Sequence, residues 1–468
     1  MKKIISSSII YMATIFPVYA SQNVDIDNDG LIEIHSVEEL DLVRHDSYGM
    51  SLNGNSTGCP NDSCIGYELA NDIDFDTNHN GIFDEQDIFW NDGLGWLPIP
   101  SLSSTLDGNG YTIKNLNIKR PEMDYSGLIS ITNNTKIRNI NFYNANINGK
   151  KYTSIISAKS YQSSFDNITI RGSTIGGYDY VGSITGQANG NRTKLSNIYI
   201  QASISGSYTT GGLSGSVIGD EYLPREQNPI IRNIIADIEV VSTVTTGGLV
   251  AGIGYSTIEN IRVQGNVHGS TYTGGLFASI GNSHLHDASF IGKIEGTTAA
   301  GIAASMHNTS ASQIFSNAEI VGASLPSAGL IGTLSDSMLS DSYTLGTINA
   351  PAFSIAGVIG TAKGNSSVYR TYSAITINPG HSGTAYGFTG PLYSTNTTLT
   401  VEDSYWDYQT AGTTNSLPGY ALSVRTNELQ CPTSPNDNLC SSQLFVNWDP
   451  LIWNFRSSIE YPILTPAP

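Results

Sequence analysis

Residues 247–276 contain one full turn of a repeat and read GGLVAGIGYSTIENIRVQGNVHGSTYTGGL. The stretch opens and closes on two glycines and a leucine, and Leu249 and Leu276 lie 27 positions apart. Similar triplets of two small residues and an aliphatic residue recur along the chain, and a fixed period of this kind indicates a repeat architecture. The aliphatic residues of the triplets are Leu128, Ile155, Ile184, Leu213, Leu249, Leu276, Ile302, Leu330 and Val358.

The spacing between the triplets is even except at one place. Seven of the eight intervals are 26 to 29 residues long, and the remaining interval is 36 residues long. The long interval contains a polar insertion at 219–229. We therefore expect one loop to project from an otherwise regular stack.

A second motif lies between the triplets and consists of an aliphatic residue, any residue, Asn or Asp, and an apolar residue. In Ile258-Glu259-Asn260-Ile261 the two isoleucines are three positions apart, although inward residues of a straight strand alternate with a period of two. The chain must therefore bend at the Asn, which tolerates a left-handed backbone. We predict a ladder of stacked side chains, one in each coil. Its predicted members are Asn115, Asn139, Asn167, Asn197, Asn233, Asn260, Asp287, Asn317, Asp341 and Asp403.

These two motifs predict an all-β fold, a parallel β-helix or β-solenoid of about ten coils. One coil cannot bury its own apolar face, so neighbouring coils must stack at about 4.8 Å and form a rod roughly 50 Å long. The alternatives, a propeller or a set of sandwiches, need repeated Asn-Gly hairpin turns that do not recur here.

The chain divides into four expected regions. Residues 1–20 are expected to be a signal peptide, because a positive end precedes an apolar run and small residues stand at the cleavage positions. A membrane anchor is disfavoured, since the run is shorter than the ~20 residues that span a bilayer. Residues 21–104 are expected to form an N-terminal capping region with calcium-type loops, 105–410 the repeat solenoid, and 411–468 a C-terminal cap.

Both ends of a solenoid need covers, because terminal coils expose strand edges and core. The segment from Ser36 to Glu39 has the pattern of a capping box and predicts a short helix. We expect this helix to close the first coil together with Trp90 and Trp96. An aromatic cluster is expected to form the C-terminal cap. Its predicted members are Trp406, Trp448, Trp453, Phe455 and Tyr461.

Charge and cysteine content restrict the function classes. The net charge is -18 with only 13% charged residues, whereas binding of nucleic acid rests on clustered Lys and Arg. No segment after the leader is apolar enough to span a membrane, so an extracellular or cell-surface location is expected, with the periplasm as an alternative. The close pairs Cys59 with Cys64 and Cys431 with Cys440 predict local disulfides in an exported chain.

The segment 76–87, DTNHNGIFDEQD, follows the pattern of a calcium loop. Oxygen-bearing side chains stand at positions one, three and five, glycine at six, and carboxylates at nine and twelve, while position seven supplies a backbone carbonyl. A plain polar turn is the alternative interpretation. The predicted calcium ligands are Asp76, Asn78, Asn80, Ile82, Asp84 and Asp87.

A second loop, 25–30, reads DIDNDG and begins in the same way with Asp25, Asp27 and Asp29. A serine stands where the last carboxylate belongs, so Glu33 or a residue from outside the loop would have to complete this calcium site. Both ions are expected to be structural, because a closed carboxylate cage leaves no evident open position.

The outward residue before each Asn is the place where catalytic groups would align in a column. Arg232, Glu259 and His286 are expected to lie within about 10 Å on three consecutive coils. A cation, an acid and a base suit the cleavage of acidic polysaccharides. The alternative is a solvated face with weak ion pairs. No serine-hydrolase or zinc-protease signature is present, which disfavours a protease.

The segments 212–215, GLSG, and 329–332, GLIG, have a second glycine two positions after the leucine. They resemble the repeats of GLUG-motif proteins, which are exported bacterial surface proteins. Segments at both ends of the chain extend the resemblance. It implies a solenoid at the bacterial surface. GLUG repeats occur in some immunoglobulin A peptidases and in adhesin-like proteins, with no catalytic residue tied to the repeat itself.

The expected function is a secreted or surface-exposed binding and structural protein, adhesin-like, that presents a solenoid flank to glycans, cell surfaces or matrix. The alternative is a polysaccharide lyase or glycoside hydrolase, because parallel β-helices often host such enzymes. A purely structural component of a surface layer is a third possibility. Calcium is the only cofactor that the sequence predicts.

Overall fold

The chain folds as a stack of parallel β-strands, which confirms the predicted all-β parallel solenoid of about ten coils. The computed structural model describes residues 23–322, 326–350, 355–380, 383–417, 420–430, 444–456 and 459–465. The expected signal peptide and the pair Cys431 and Cys440 lie outside these residues. The predicted disulfide between Cys59 and Cys64 is present.

Each regular coil contains one strand of medium length, one long bent strand and one short strand. The coil after Leu249 runs through Val250–Gly254, Thr257–His268 and Tyr272–Gly274. Equivalent strands of neighbouring coils pair in register, so that Arg232 lies opposite Glu259. The stack therefore has three surfaces, termed here the medium, long and short faces after their strands.

The strands of the long face, which include shorter pieces at both ends of the stack, are Leu31–Ile34, Gly66–Leu69, Ile73–Asp74, Thr105–Asp107, Thr112–Lys114, Asn117–Lys119, Lys136–Tyr143, Asn146–Asn148, Ser164–Gly176, Lys194–Ser205, Ile230–Val241, Thr257–His268, His284–Gly296, Ser310–Gly322, Met338–Ala350, Asn365–Pro379, Thr398–Glu402, Tyr405–Asp407 and Leu422–Val424. The strands of the short face are Lys151–Thr153, Asp179–Val181, Thr209–Gly211, Thr245–Gly247, Tyr272–Gly274, Thr298–Ala300, Ser327–Ala328, Ile355–Ala356 and Ala385–Tyr386. The strands of the medium face are Ile99–Leu102, Ile129–Asn133, Ser157–Tyr161, Thr185–Asn189, Ser214–Ile218, Val250–Gly254, Phe277–Gly281, Ala303–His307, Ile331–Ser335 and Ile359–Lys363.

An antiparallel pair, Trp453–Asn454 with Ile463–Leu464, is separate from the three faces. In the part of the chain that the structure describes, helices are few and short. The α-helices are Val37–Leu42, Tyr408–Ala411 and Thr426–Leu429, and the 3-10 turns are Val43–His45, Pro60–Asp62, Asn91–Gly93 and Arg225–Gln227.

The interior is a continuous column of mostly aliphatic side chains. Ile258 and Ile261 are fully buried while Glu259 and Asn260 between them are exposed, as the bend requires. Leu249 and its counterparts in the other triplets are also fully buried. Burying one such side chain contributes about 1.5–3 kcal/mol. Since a coil buries its apolar side chains only against neighbouring coils, this stabilisation requires the stack.

The small residues of the triplet are required by the close approach of neighbouring coils. A Cβ atom at Gly248 would lie 2.0 Å from the carbonyl oxygen of Gly275. That carbonyl belongs to the next coil, whose Gly274 oxygen accepts the Gly248 N–H at 3.1 Å. The triplet is therefore a packing signal.

The bends of the long strands have left-handed backbones, as predicted. The values of φ at Asn197, Asn233 and Asn260 are 56°, 56° and 52°. The amide of Asn260 donates to Asn233 Oδ1 at 3.0 Å, and that of Asn233 donates to Asn197 Oδ1 at 2.8 Å. Further predicted ladder members with positive φ are Asn139, Asn167, Asp287, Asp341 and Asp403.

Two predicted members of the ladder are wrong. Asn115 lies at a different corner, where Asn144 donates to its side-chain oxygen at 2.7 Å. Asn317 lies farther along its strand, opposite Ile291. The bend of that coil is formed by Gln313, with φ 54°. The motif missed this position because a glutamine replaces the usual Asn or Asp.

Replacement of Asn233 by alanine is expected to lower the free energy of unfolding by about 1–2 kcal/mol. The change removes two side-chain hydrogen bonds and places a residue with a Cβ but no local polar partner at φ 56°. Thermal unfolding of Asn233→Ala and Asn233→Gly separates the two effects, because glycine loses the hydrogen bonds without the backbone strain. Equal stability of wild type and both variants would contradict the ladder's contribution.

The N-terminal region contributes strands to the same stack. Leu31–Ile34 pairs in parallel with Gly66–Leu69, which pairs in turn with Thr105–Asp107. The predicted helix is present, and Ser36 Oγ accepts the backbone N–H of Glu39 at 3.2 Å.

The two N-terminal tryptophans differ in burial. Trp96 is fully buried, and its ring centroid lies 5.3 Å from that of Phe75 and 5.1 Å from that of Phe89. Trp90 is only half-buried, beside Phe83. Trp96 therefore contributes more buried aromatic area to this end of the stack than Trp90 does.

The C-terminal aromatic residues form a cluster on the outer side of the long face, separate from the main core. Tyr343, Tyr372 and Tyr405 occupy the same outward position on successive coils. Trp448 and Trp453 pack on them, with 4.3 Å between their own ring centroids. The expected aromatic cluster is confirmed, but it covers the side of the last coils.

Trp406 does not belong to this outer cluster. It is buried within the main solenoid core, beside Gly387. Its ring thus occupies the inside of the last coils, while Trp448 and Trp453 cover the outside.

Candidate functional site

The loop 25–30 gathers three aspartates around one point. Asp25 Oδ2 accepts the backbone N–H of Gly30 at 3.0 Å, and Asp27 Oδ1 accepts that of Asp29 at 3.1 Å. One oxygen from each of the three carboxylates lies within 4.8 Å of the others. Asp25 is fully buried, so its charge is removed from water.

Two glutamates from adjacent strands extend this cluster. Glu33 and Glu68 lie opposite each other in the parallel pair of the first two coils. Oxygens of Asp27, Glu33 and Glu68 lie within 4.8 Å of one another. Glu33 is one of the two expected completions of the calcium site at loop 25–30. Glu68 lies outside this loop and was not predicted by its residue number. The matching segments LIEI and GYEL, each with Glu in third place, were the available signal.

Burial and the neighbouring carboxylates both act on the pKa of Glu68. Burial raises its pKa above the usual range, the hydrogen bond from Asn109 opposes the rise, and repulsion from Asp29, Asp27 and Glu33 adds to it. Such a group is held near like charges at an electrostatic cost.

The disulfide lies against the same loop. Asp25 and the two sulfurs of Cys59 and Cys64 are within 4.8 Å of one another. Both sulfurs are bonded to each other and are therefore not thiolate ligands for a metal. The disulfide positions the acidic loop without contributing to its ligand set.

The loop 76–87 has the turn that its sequence predicts. Asp76 Oδ2 accepts the N–H of Gly81 at 2.8 Å, and Asp87 Oδ1 accepts that of Thr77 at 2.6 Å. Asp84 accepts side-chain hydrogen bonds from Asn78 and Asn80, at 3.4 and 3.0 Å. Hydrogen bonds thus connect Asp84 with Asn78 and Asn80, and Ile82 is exposed. Calcium binding by this loop stays a prediction.

Arg232, Glu259 and His286 lie in one column on three consecutive strands of the long face, since each is the direct neighbour of the next. All three side chains are exposed. His286 Nδ1 lies 3.0 Å from Ser312 Oγ of the following coil. The register that the sequence predicted is present, and catalysis by these residues stays a prediction.

A flank at the start of the short face carries three stacked tyrosines. The ring centroid of Tyr152 lies 5.0 Å from that of Tyr125 and 5.0 Å from that of Tyr180, and the interplanar angles are 18° and 17°. Lys151 Nζ lies 5.3 Å from the Tyr152 centroid, and Lys159 Nζ lies 4.9 Å from it. All five side chains are partly exposed. These five residues are termed the tyrosine flank.

The tyrosine flank belongs to a basic part of an acidic protein. Residues 114–194 contain eleven Lys and Arg against four Asp and Glu, a net charge of +7, whereas the whole chain carries -18. The remaining coils and the ends are therefore strongly acidic. Sequence reading missed this asymmetry because the total charge conceals it.

The fold and these surfaces define a repeat protein of the parallel β-solenoid class. No protein-family model matches the chain, so its likeness to GLUG-motif proteins is a resemblance of short motifs only. Halomucin from Haloquadratum walsbyi is 35% identical over 91 residues, which are 19% of this chain and 1% of halomucin. The chain thus matches a very small part of that protein.

A solved structure of a candidate immunoglobulin A1 protease from Bacteroides ovatus is similar to this chain. The alignment covers 94% of this chain and 93% of the Bacteroides chain. The identity is 16% and the TM-score 0.32. Among the described residues, no helix is both long and apolar enough to cross a membrane.

Proposed function

We propose that the protein is an exported, surface-exposed binding and structural protein, and that the tyrosine flank binds acidic glycans. The observation that carries the proposal is the stack of Tyr125, Tyr152 and Tyr180 beside Lys151 and Lys159. Tyrosines combine apolar area with a hydroxyl group, and ammonium groups attract carboxylates or sulfates. The solenoid repeats these groups along one line, which suits a chain with a regular repeat of charge.

The charge distribution supports an acidic ligand over a neutral one. The tyrosine flank lies in the segment with net charge +7, although Asp179 is the strand neighbour of Lys151 in the next coil. The ammonium groups of Lys151 and Lys159 lie 5.3 and 4.9 Å from the ring centroid of Tyr152. Acidic coils elsewhere would repel the same ligand. Binding is therefore expected to be confined to the early coils and to weaken as salt rises.

The test is retention of the mature protein on immobilised acidic and neutral polysaccharides, such as polygalacturonate and dextran, at low and high salt. Retention on the acidic polymer alone, lost at high salt, is the expected result. Equal retention on both polymers, or on neither, would overturn the proposal.

The double variant Lys151→Gln, Lys159→Gln is expected to bind polygalacturonate about tenfold more weakly, which corresponds to ~1.4 kcal/mol. Both cations are lost while the tyrosine stack remains. The matched control is the double variant Lys293→Gln, Lys363→Gln, which also removes two cations. Both lysines lie on later coils, and Lys293 is paired with Glu295 at 2.6 Å. An equal loss of binding in both variants would show that general charge, not this flank, determines the affinity.

Cleavage of the same polysaccharides is the alternative function. The in-register column of Arg232, Glu259 and His286 is the observation that favours it. The retention assay can also score new chain ends in solution. Chain ends that form with wild type and disappear with Glu259→Gln would make the protein a polysaccharide-cleaving enzyme; ends that persist would remove this column from consideration.

A further inference from the structure

We propose that one divalent cation of the calcium class binds between the first two coils, with Asp25, Asp27 and Asp29 from the loop and Glu33 and Glu68 from neighbouring strands as its oxygen ligands. The ion would then join two coils through their side chains, in addition to the hydrogen bonds of their backbones. Glu68 distinguishes this site from one formed by the loop alone.

Unused oxygen atoms are the first support for the site. Asp25 Oδ2 accepts the Gly30 N–H, but Asp25 Oδ1 is buried and has no hydrogen-bond partner among the described residues. Glu33 Oε1 accepts the Ile26 N–H at 2.6 Å, but Glu33 Oε2 is also buried, and no described residue is its partner. The two residues are 0% and 9% exposed. A buried carboxylate oxygen without a partner is costly, and a cation would satisfy it.

The contrast with the next coil is the second support. The column that contains Glu33 and Glu68 continues to Asp107, which pairs with Arg138 at 2.6 Å. The ion pairs of the described residues give no such cation to Glu33 or Glu68. Three stacked carboxylates thus share a single arginine at one end of the column.

The chemistry of the ligand set favours calcium. All five side chains offer carboxylate oxygens, and calcium takes six to eight oxygens in a flexible arrangement. Magnesium demands a regular octahedron and retains several waters, so it fits a converging carboxylate cluster less well. The nearby sulfurs are bonded to each other, which removes the thiolates that zinc would select.

The experiment measures calcium binding and thermal unfolding of the mature protein with Asp76→Asn in every variant, so that the predicted loop 76–87 does not contribute. This background protein is expected to bind one calcium ion per chain and to unfold at a higher temperature with calcium than with a chelator. Magnesium alone is expected to give a smaller rise.

Adding Glu68→Gln is expected to weaken calcium binding about tenfold or more, while the chelated protein unfolds no earlier than its background. The second result separates a ligand from a merely structural glutamate, whose loss would lower both unfolding temperatures. Glu402→Gln is the matched control, because Glu402 occupies the same column at the opposite end and is exposed. Calcium binding that Glu68→Gln and Glu33→Gln both leave unchanged would overturn the proposal.

Discussion

Replacing Trp453 by alanine is expected to lower the free energy of unfolding of the last coils by about 3–5 kcal/mol, the range for removing a buried aromatic side chain. Trp453 is 1% exposed, and its ring centroid lies 4.3 Å from that of Trp448 and 6.0 Å from that of Tyr343. Its indole N–H donates to Asp341 Oδ1 at 3.4 Å. The substitution leaves a cavity among these rings and releases the C-terminal segment from the long face.

Thermal unfolding together with limited proteolysis measures this effect, because a released segment is cut before the solenoid unfolds. The control is Leu451→Ala in the same segment, since Leu451 is 84% exposed. If Trp453→Ala is as stable and as resistant to protease as Leu451→Ala, the segment does not clamp the last coils.

The side-on position of this segment could not be predicted from its own residues. Tyr343, Tyr372 and Tyr405 belong to the repeat, at an outward position that Arg262 and Ser289 occupy in earlier coils. An unbroken run of aromatic side chains at this position, which begins at Phe315, marks the coils that are covered. It becomes visible only when the strand register aligns residues that lie about one coil apart, and the register is a property of the fold.

The solenoid itself could be predicted, because its signals are local and repeat in every coil. The bend at Asn260 requires only four consecutive residues, and the ladder follows from stacking. Gln313 shows the limit of that reading. A glutamine rarely adopts a left-handed backbone, but the coils bent at Asp287 and Asp341 on either side impose the bend on it. Tertiary context overrode local preference there, and the pattern shifted the prediction to Asn317.

The candidate sites also divide into residues that a local pattern predicts and residues that only the fold brings together. The aspartates of the loop 25–30 are adjacent in sequence, so their pattern could be read directly. Glu68 is separated from Glu33 by a whole coil and a disulfide loop, and only the pairing of two parallel strands brings them together. The tyrosine flank was hidden for the same reason, since Tyr152 and Tyr180 lie 28 residues apart.

Replacing Gly265 by alanine is expected to cost at least about 3 kcal/mol, the sum of backbone strain and overpacking. Gly265 has φ +130°, a region that side-chain-bearing residues essentially do not occupy. A Cβ atom there would lie 1.9 Å from the carbonyl oxygen of Ile238 on the preceding coil. Gly292 repeats the arrangement on the following coil, with φ +143° and 1.9 Å to the carbonyl oxygen of Gly265. The backbone cannot move away from one neighbour without approaching the other.

Gly252 provides the matched control, because a Cβ atom at this strand position would have no heavy atom within 4 Å. Gly252→Ala is expected to be neutral or slightly stabilising, since it reduces the entropy of the unfolded chain. A solenoid is stabilised by neighbouring coils, so Gly265→Ala should also divide the rod into two parts that unfold separately. Thermal unfolding and proteolysis near residue 265 measure both effects. A Gly265→Ala protein that unfolds in one step at the temperature of Gly252→Ala would show that the long strands do not need this left-handed position to stack.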